Sequence, residues 1–225
     1  MDNKTKPEDF VLEATDHYYK GDFKQTIKSL EKAIELKPDF AQAWYNKGVT
    51  YSVMGLVQDE IESYEMAIQI EPQYAEAWSN KASALGRAGK AEEALKCAEK
   101  ATELKPFFAI AWCNKGAALS SLGKDMEAIG AYDKAIEIEK DYLEAWFNKA
   151  VSHHNLEKPK AALNAYSKAI ELNPSYAEAY FNRAGLFLYM QDMDKAKADL
   201  EKAIELNPLF KHQALQDESL KLLLS

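Results

Sequence analysis

The chain has 225 residues, of which 47% are hydrophobic and 28% are charged, and its formal net charge is −8. It is long enough for one large domain or two small ones and apolar enough to fold. No apolar run approaches the roughly 20 residues that cross a bilayer, which excludes a transmembrane protein. The first residues contain no apolar segment typical of a secretory signal, and two cysteines cannot form a disulfide framework. We therefore expect a cytoplasmic protein.

A period of 34 residues runs through the chain. The four tryptophans follow it: Trp44, Trp78, Trp112 and Trp146. Six alanines follow it as well: Ala33, Ala67, Ala101, Ala135, Ala169 and Ala203. After a tail of residues 1–6, the period defines six repeats: 7–40, 41–74, 75–108, 109–142, 143–176 and 177–210. We number them repeats 1 to 6 and count positions from the first residue of each. Such a tandem array predicts units that bury their apolar faces against their neighbours.

Each repeat predicts two helices joined by a tight turn. In repeat 2, Trp44, Gly48 and Tyr51 lie on one face of a first helix, and Gly55 ends that helix. A second apolar stripe with helical spacing follows, and Pro72 ends it. Helices of this length are unstable alone in water, so neighbouring helices must cover their apolar faces. The sequence therefore predicts an all-α chain.

The pattern Trp44-x2-Lys47-Gly48-x2-Tyr51, with an alanine in the second helix and a proline at its end, resembles the tetratricopeptide repeat. The resemblance covers all six repeats, about nine tenths of the chain. It implies a right-handed α-solenoid, a superhelix of antiparallel helix pairs. It also implies a non-catalytic protein-protein interaction scaffold, whose first helices line a concave groove for a peptide segment or helix of a partner. Residues 211–225 would then form a C-terminal capping, or solvating, helix.

Three residues depart from the family pattern. The twentieth position of a repeat is expected to be small, but it is Thr26 in repeat 1 and Glu60 in repeat 2. Because a buried unpaired carboxylate is costly, we expect repeat 2 to pack loosely there or Glu60 to turn outward. Glu157 stands where the turn usually has glycine, with Pro159 two residues later. Proline suits the first turn of a helix, so we expect this turn to be kept.

The sequence contains no motif of a known catalytic or cofactor site, which predicts a protein that is not an enzyme and binds no cofactor. His153 and His154 are adjacent and point about 100° apart on a helix, so they cannot share a metal ion. The 36 acidic residues outnumber the 28 basic ones, which disfavours nucleic acid as a partner. We expect no membrane contact.

The candidate site is a row of asparagines at the sixth position of five repeats: Asn46, Asn80, Asn114, Asn148 and Asn182. Asparagine is a poor residue for a helix interior, so its recurrence needs a reason. Its amide matches the N–H and C=O groups of a peptide backbone, and it can equally bond within the array and fix the superhelical pitch. In the resembling family the second, fifth, sixth, ninth and twelfth positions face the groove.

Side chains near the asparagines are expected to select the partner. They are Tyr45 and Ser79 towards the N-terminal half, and Phe147, Val151, Phe181, Leu188 and Tyr189 towards the C-terminal half. The second set is more apolar and aromatic, as binding hot spots tend to be. We therefore expect the C-terminal half to anchor apolar side chains of the partner.

Two alternatives stay open at this point. The array can instead be a self-assembling homo-oligomeric scaffold that uses its ends or groove, including the leucines of residues 220–224. A cationic row also repeats at the seventh position: Lys47, Lys81, Lys115, Lys149 and Arg183. These side chains either lie along the helix seam with their charges in water or form a basic edge for acidic partners.

Overall fold

The computed structural model describes residues 6–224. Most of the predicted N-terminal tail, and the last residue of the predicted cap, lie outside this range. The described residues contain helices and no strand, which confirms the all-α fold. The helices are α1 (Pro7–Tyr19), α2 (Phe23–Leu36), α3 (Ala41–Met54), α4 (Val57–Ile70), α5 (Ala75–Arg87), α6 (Ala91–Leu104), α7 (Ala109–Ser121), α8 (Asp125–Ile138), α9 (Leu143–Asn155), α10 (Pro159–Leu172), α11 (Ala177–Tyr189), α12 (Met193–Leu206), α13 (Leu209–Gln216) and a 3-10 helix (Leu220–Leu224).

The chain divides into two compact units, an N-terminal unit of residues 1–122 and a C-terminal unit of residues 123–225. In the N-terminal unit, α1 to α6 form successive helix pairs, and α7 packs on α5 and α6. In the C-terminal unit, α9 pairs with α10 and α11 pairs with α12, with α8 packed on α9. Each unit is thus a stack of helices, as expected of an α-solenoid.

One residue in the left-handed region makes the turn within a repeat. Four glycines have φ of 72° to 75° at this place: Gly21, Gly55, Gly89 and Gly123. In repeats 5 and 6 the same region is adopted by Glu157, with φ of 54°, and by Gln191, with φ of 64°. The turn expected at Glu157 is therefore present, and Pro159 follows in the first turn of α10. A side chain with a Cβ is strained in this conformation.

The tryptophans link successive repeats through hydrogen bonds, and we call each of these links a tryptophan joint. Each indole N–H donates to the backbone carbonyl six residues earlier, just after the preceding helix ends. The bonds join Trp44 to Pro38 (3.1 Å), Trp78 to Pro72 (3.0 Å), Trp112 to Pro106 (2.8 Å) and Trp146 to Lys140 (2.8 Å). Each accepting residue lies two positions beyond the end of the preceding helix, so the bonds tie the first helix of a repeat to the turn before it.

A second joint lies inside each repeat, between the eighth and twenty-fourth positions. In repeat 2 these are Gly48 and Tyr64, and the tyrosine ring is fully buried. A Cβ at Gly48 would lie 2.6 Å from the Tyr64 ring, so the missing side chain makes room for the ring. In the C-terminal unit Tyr166 holds the matching place, in one cluster with Ala150 and Phe147.

The C-terminal segment differs from the single helix predicted for residues 211–225. Helix α13 ends at Gln216, and residues 220–224 form the 3-10 helix. Ala214, Leu220 and Leu223 are buried in one cluster with Leu200 of α12. The segment therefore covers the last repeat, as expected of a cap. Leu220 and Leu223 are used within the chain, and neither is exposed for a contact with another molecule.

Candidate functional site

Each first helix of repeats 2 to 6 leaves a stripe of its side chains uncovered. It runs through the second, sixth, ninth and thirteenth positions, whose spacing of four, three and four residues defines one helix face. None of these residues is buried. We call them the asparagine stripe: Gln42, Asn46, Val49 and Val53 in α3; Glu76, Asn80, Ser83 and Arg87 in α5; Ile110, Asn114, Ala117 and Ser121 in α7; Glu144, Asn148, Val151 and Asn155 in α9; Glu178, Asn182, Gly185 and Tyr189 in α11.

Three asparagines of the stripe bond to the preceding repeat. The Asn80 side chain donates to the Tyr45 hydroxyl at 3.1 Å. The Asn114 amide donates to the Ser79 carbonyl at 2.9 Å and to the Ser79 hydroxyl at 3.1 Å. Through these bonds α5 is tied to α3 and α7 to α5, which supports the role of the amides in fixing the geometry of the array.

The Asn182 amide bonds in the same manner in the C-terminal unit. It is hydrogen-bonded to the Tyr166 hydroxyl, while burial raises the pKa of this tyrosine well above its usual value. Asn46 and Asn148 differ from these three, because no residue within 6–224 forms a hydrogen bond with either side-chain amide. Asn148 is half-buried at the matching place in α9.

The fifth position packs inside the array, although four of its residues are predicted contacts for the partner. Ser79 is fully buried, and Phe147 is 8% exposed. The Tyr45 ring packs on Tyr74 at 4.9 Å between centroids, and the Phe181 ring stacks on Phe210 at 4.7 Å. The prediction that these side chains line a groove is therefore wrong for Ser79 and Phe147, because both are covered by neighbouring helices.

The other predicted contacts lie at or beside the stripe. Val151 is half-buried, and Tyr189 is 69% exposed. Leu188 is half-buried and packs on the cluster that closes the last repeat. The thirteenth position was predicted only at Tyr189, since Val53 and Arg87 did not figure among the candidates. Helical spacing from the asparagine, seven residues earlier, is the signal that identifies it.

Glu60 is buried, and repeat 2 is neither loose nor open around it. Its side chain is 2% exposed and accepts a hydrogen bond from the Arg87 guanidinium. The same guanidinium donates to the Ser83 hydroxyl at 3.1 Å. The expected outward turn of Glu60 is therefore wrong, because α5 supplies the cation that a buried carboxylate requires.

The cationic row is engaged in ion pairs within the chain. Four lysines pair with an acid 16 residues earlier, in the preceding repeat: Lys47 with Glu31 (3.1 Å), Lys81 with Glu65 (2.6 Å), Lys115 with Glu99 (3.4 Å) and Lys149 with Asp133 (2.6 Å). Repeat 5 has Ser167 at the acidic place, and Arg183 bonds both to it at 2.9 Å and to Asp199 at 2.6 Å. The row thus lies along the seam and does not form a free basic edge.

Acidic side chains begin the stripe in several helices. Glu144 and Glu178 are exposed in the first turns of α9 and α11, where a carboxylate also complements the helix dipole. Both lie near Tyr176, and burial together with these two charges raises the pKa of Tyr176 to about 12. In α5, Glu76 pairs with Lys105 at 2.7 Å, which lowers the pKa of this carboxyl group.

Within residues 6–224, no group of His, Cys, Asp or Glu is arranged to hold a metal ion. None of the described helices combines the length and apolar character that crossing a bilayer requires. Cys97 and Cys113 are buried, and burial raises the pKa of Cys97.

Family profiles match most of the chain. Those described as tetratricopeptide repeat match residues 41–74, 63–96, 109–142, 143–176 and 177–210, and one described as TPR repeat matches residues 16–55. Together they span residues 16–96 and 109–210. No curated protein matches the sequence significantly.

Solved structures share the fold. A MamA structure is 25% identical, covers 73% of this chain and 96% of its own, and has a TM-score of 0.65. YrrB, described as a TPR protein with an unusual peptide-binding site, is 22% identical over 84% of this chain and 98% of its own, with a TM-score of 0.62. PilF of Pseudomonas aeruginosa is 18% identical over 92% of this chain and 95% of its own, with a TM-score of 0.78.

Proposed function

Because the chain belongs to the tetratricopeptide repeat family, we propose that it is a non-catalytic scaffold that binds a segment of a partner protein along the asparagine stripe. The uncovered stripe carries this proposal, since packing accounts for the other faces of the first helices. The peptide-binding site attributed to YrrB, which has the same fold, supports the choice of a peptide segment as ligand.

The chemistry of the stripe describes the partner segment. In the C-terminal unit, exposed Glu144 and Glu178 begin the stripe, and Val151 and Tyr189 follow. A segment that pairs a lysine or arginine with an apolar or aromatic side chain complements this surface. Since the cationic row is engaged in ion pairs, an acidic segment finds less support.

Affinity capture with stripe variants tests the proposal. Tyr189→Ser removes the most exposed aromatic side chain of the stripe, whereas Met126→Ser alters α8, away from the stripe, at a residue that is 59% exposed. We expect a partner captured by the wild type and by Met126→Ser to be lost or weakened with Tyr189→Ser. Equal capture by both variants contradicts binding along the stripe.

Self-assembly is the competing hypothesis, and the burial of Leu220 and Leu223 removes two of the side chains that it used. Light scattering over a concentration series separates the two hypotheses. Our proposal expects a monomer at every concentration, whereas growth in mass with concentration favours assembly. The sequence contains two cysteines, which supports a reducing compartment such as the cytoplasm.

A further inference from the structure

The N-terminal unit contains a pocket between its first two repeats that the proposed function does not explain. It has a volume of about 150 Å³ and opens beside α1, α2 and α3. Its lining includes Ala14, Tyr18, Thr26, Leu30, Asn46 and Val49. Tyr19, which is 84% exposed, stands at the pocket's edge.

Repeat 2 shows what fills the equivalent space when no pocket is present. Its twenty-fourth position is Tyr64, a buried ring whose hydroxyl is hydrogen-bonded to Asn80. The matching residue of repeat 1 is Leu30, which has no ring and no hydroxyl. Repeat 5 follows the plan of repeat 2, with Tyr166 bonded to Asn182. Repeat 4 also has a buried tyrosine there, Tyr132, so the pocket of repeat 1 is associated with the loss of a tyrosine that three other repeats keep.

A small residue at the twentieth position of repeat 1 enlarges the same pocket. In repeat 2 it is Glu60, which is held there by Arg87 of the next repeat. In repeat 1 it is Thr26, whose hydroxyl donates to the Asp22 carbonyl. The equivalent of Arg87 beside repeat 1 is Val53, which has no polar group to place there. Three larger side chains are thus replaced by smaller ones at this joint.

Asn46 is the polar side chain at the pocket that no neighbouring side chain binds. The Thr15 hydroxyl donates to the Val11 carbonyl, and the Thr50 hydroxyl donates to the carbonyl of Asn46 itself. The side-chain amide of Asn46 faces the pocket and has no hydrogen-bond partner within residues 6–224. This half-buried amide is accessible to solvent, so a hydroxyl group that enters the pocket can bond to it.

We propose that this pocket receives the side chain of a tyrosine from the partner segment. Its ring takes the space that Tyr64 fills in repeat 2, against Leu30, and its hydroxyl bonds to the Asn46 amide. Tyr19 covers the outer edge of the ring. The inference rests on the proposed function, because the tyrosine belongs to the bound segment, and it adds that the segment carries a tyrosine at the N-terminal end of the stripe.

The first experiment uses p-cresol, the side chain of tyrosine as a free molecule, and toluene, which lacks the hydroxyl. Titration of the full chain is followed by the NMR shifts of the Leu30 and Val49 methyl groups. We expect saturable binding of p-cresol with a dissociation constant on the order of 1 mM. One hydrogen bond to Asn46 makes p-cresol bind about threefold to tenfold more tightly than toluene. Absence of shifts, or equal affinity for the two molecules, overturns the proposal.

Variants of the pocket sharpen this test. Leu30→Tyr introduces the residue of repeats 2, 4 and 5, so it should abolish p-cresol binding and leave the melting temperature unchanged or higher. Leu30→Met, the matched control, keeps the pocket and the binding. Asn46→Ala should remove the preference for p-cresol over toluene. Persistent binding to folded Leu30→Tyr, a melting temperature lowered by this substitution, or a preference that survives in Asn46→Ala overturns the proposal.

A blocked tripeptide separates this inference from the proposed function. Acetyl-Gly-Tyr-Gly-amide should shift the same methyl groups, and the alanine analogue should not. If p-cresol binds but the tyrosine tripeptide does not, the docking of a tyrosine side chain is refuted. If the tripeptide binds as expected while the Tyr189→Ser variant captures partners as the wild type does, the tyrosine pocket stands and the proposed extension of the bound segment along the stripe to Tyr189 fails.

Discussion

Replacing Gly48 with alanine tests how the repeats are packed. The new Cβ would lie 2.6 Å from Cε1 and 2.7 Å from Cδ1 of Tyr64, well inside van der Waals contact. The ring is buried and bonded to Asn80, so it has little freedom to retreat. Such overpacking costs about 1 to 3 kcal/mol. Alanine also favours a helix over glycine by about 1 kcal/mol, which opposes the clash.

We expect a net loss of about 1 kcal/mol, because repeat 5 accommodates Ala150 in one cluster with Tyr166 and the ring can adjust in part. Urea unfolding followed by circular dichroism measures this loss as a midpoint lowered by about 0.3 M, for a slope of about 3 kcal/mol/M. Gly130→Ala is the matched control, since nothing lies within 4 Å of the new Cβ. It should raise the midpoint.

A double variant identifies the cause of the loss. In a Tyr64→Leu background, Gly48→Ala gives repeat 2 the same pair of residues as Ala14 and Leu30 of repeat 1. There, Gly48→Ala should leave the urea midpoint unchanged or raise it. Our account of this joint is refuted if Gly48→Ala raises the midpoint as Gly130→Ala does. It is equally refuted if the loss is undiminished when the Tyr64 ring is absent.

Four further predictions concern stability. Glu157→Gly and Gln191→Gly should each stabilise by up to about 1 kcal/mol in thermal melts, because both residues adopt a positive φ; a lower melting temperature contradicts this. Arg87→Met should destabilise by about 3 kcal/mol in urea by leaving Glu60 buried without its cation, and adding Glu60→Leu should recover most of the loss. Arg183→Met should destabilise the protein in the same way, by leaving Asp199 without its cation, and adding Asp199→Ala should recover most of the lost stability. Burial, with Lys149 and Lys158 nearby, lowers the pKa of His153, so below about pH 6.5 the unfolded chain binds a proton that the folded chain does not. The free energy of unfolding should therefore fall as the pH is lowered from 7.5 to 5.5, and it should fall less in the His153→Phe variant. Parallel profiles of unfolding free energy against pH for the two proteins would disprove this.

The sequence predicts the repeat plan well because the same residue types recur at packing positions. The helix pairs, the turns and the tryptophan joints follow from the 34-residue period. Contacts between repeats are less visible, since they join positions 16 or 27 residues apart on different helices. For this reason the partner of each lysine and the cation beside Glu60 are seen only in the structure.

The candidate site was predicted in part. The asparagine row lies on an uncovered face, and its contact with a partner stays a prediction. The fifth position turns inward, so Ser79 and Phe147 are packing residues. The pocket beside Asn46 depends on what Leu30 and Thr26 lack, and such an absence is visible only when the repeats are compared in space. The handedness of the superhelix stays a prediction.

The central claim is that a partner segment lies along the asparagine stripe. The most direct measurement is an NMR footprint of a captured partner segment on the labelled chain. We predict shifts of the Val49, Val53 and Val151 methyl groups and of the Tyr189 ring, all on first helices. Leu36 and Met126, exposed on second helices, should be unaffected. Shifts confined to the second helices would contradict the account.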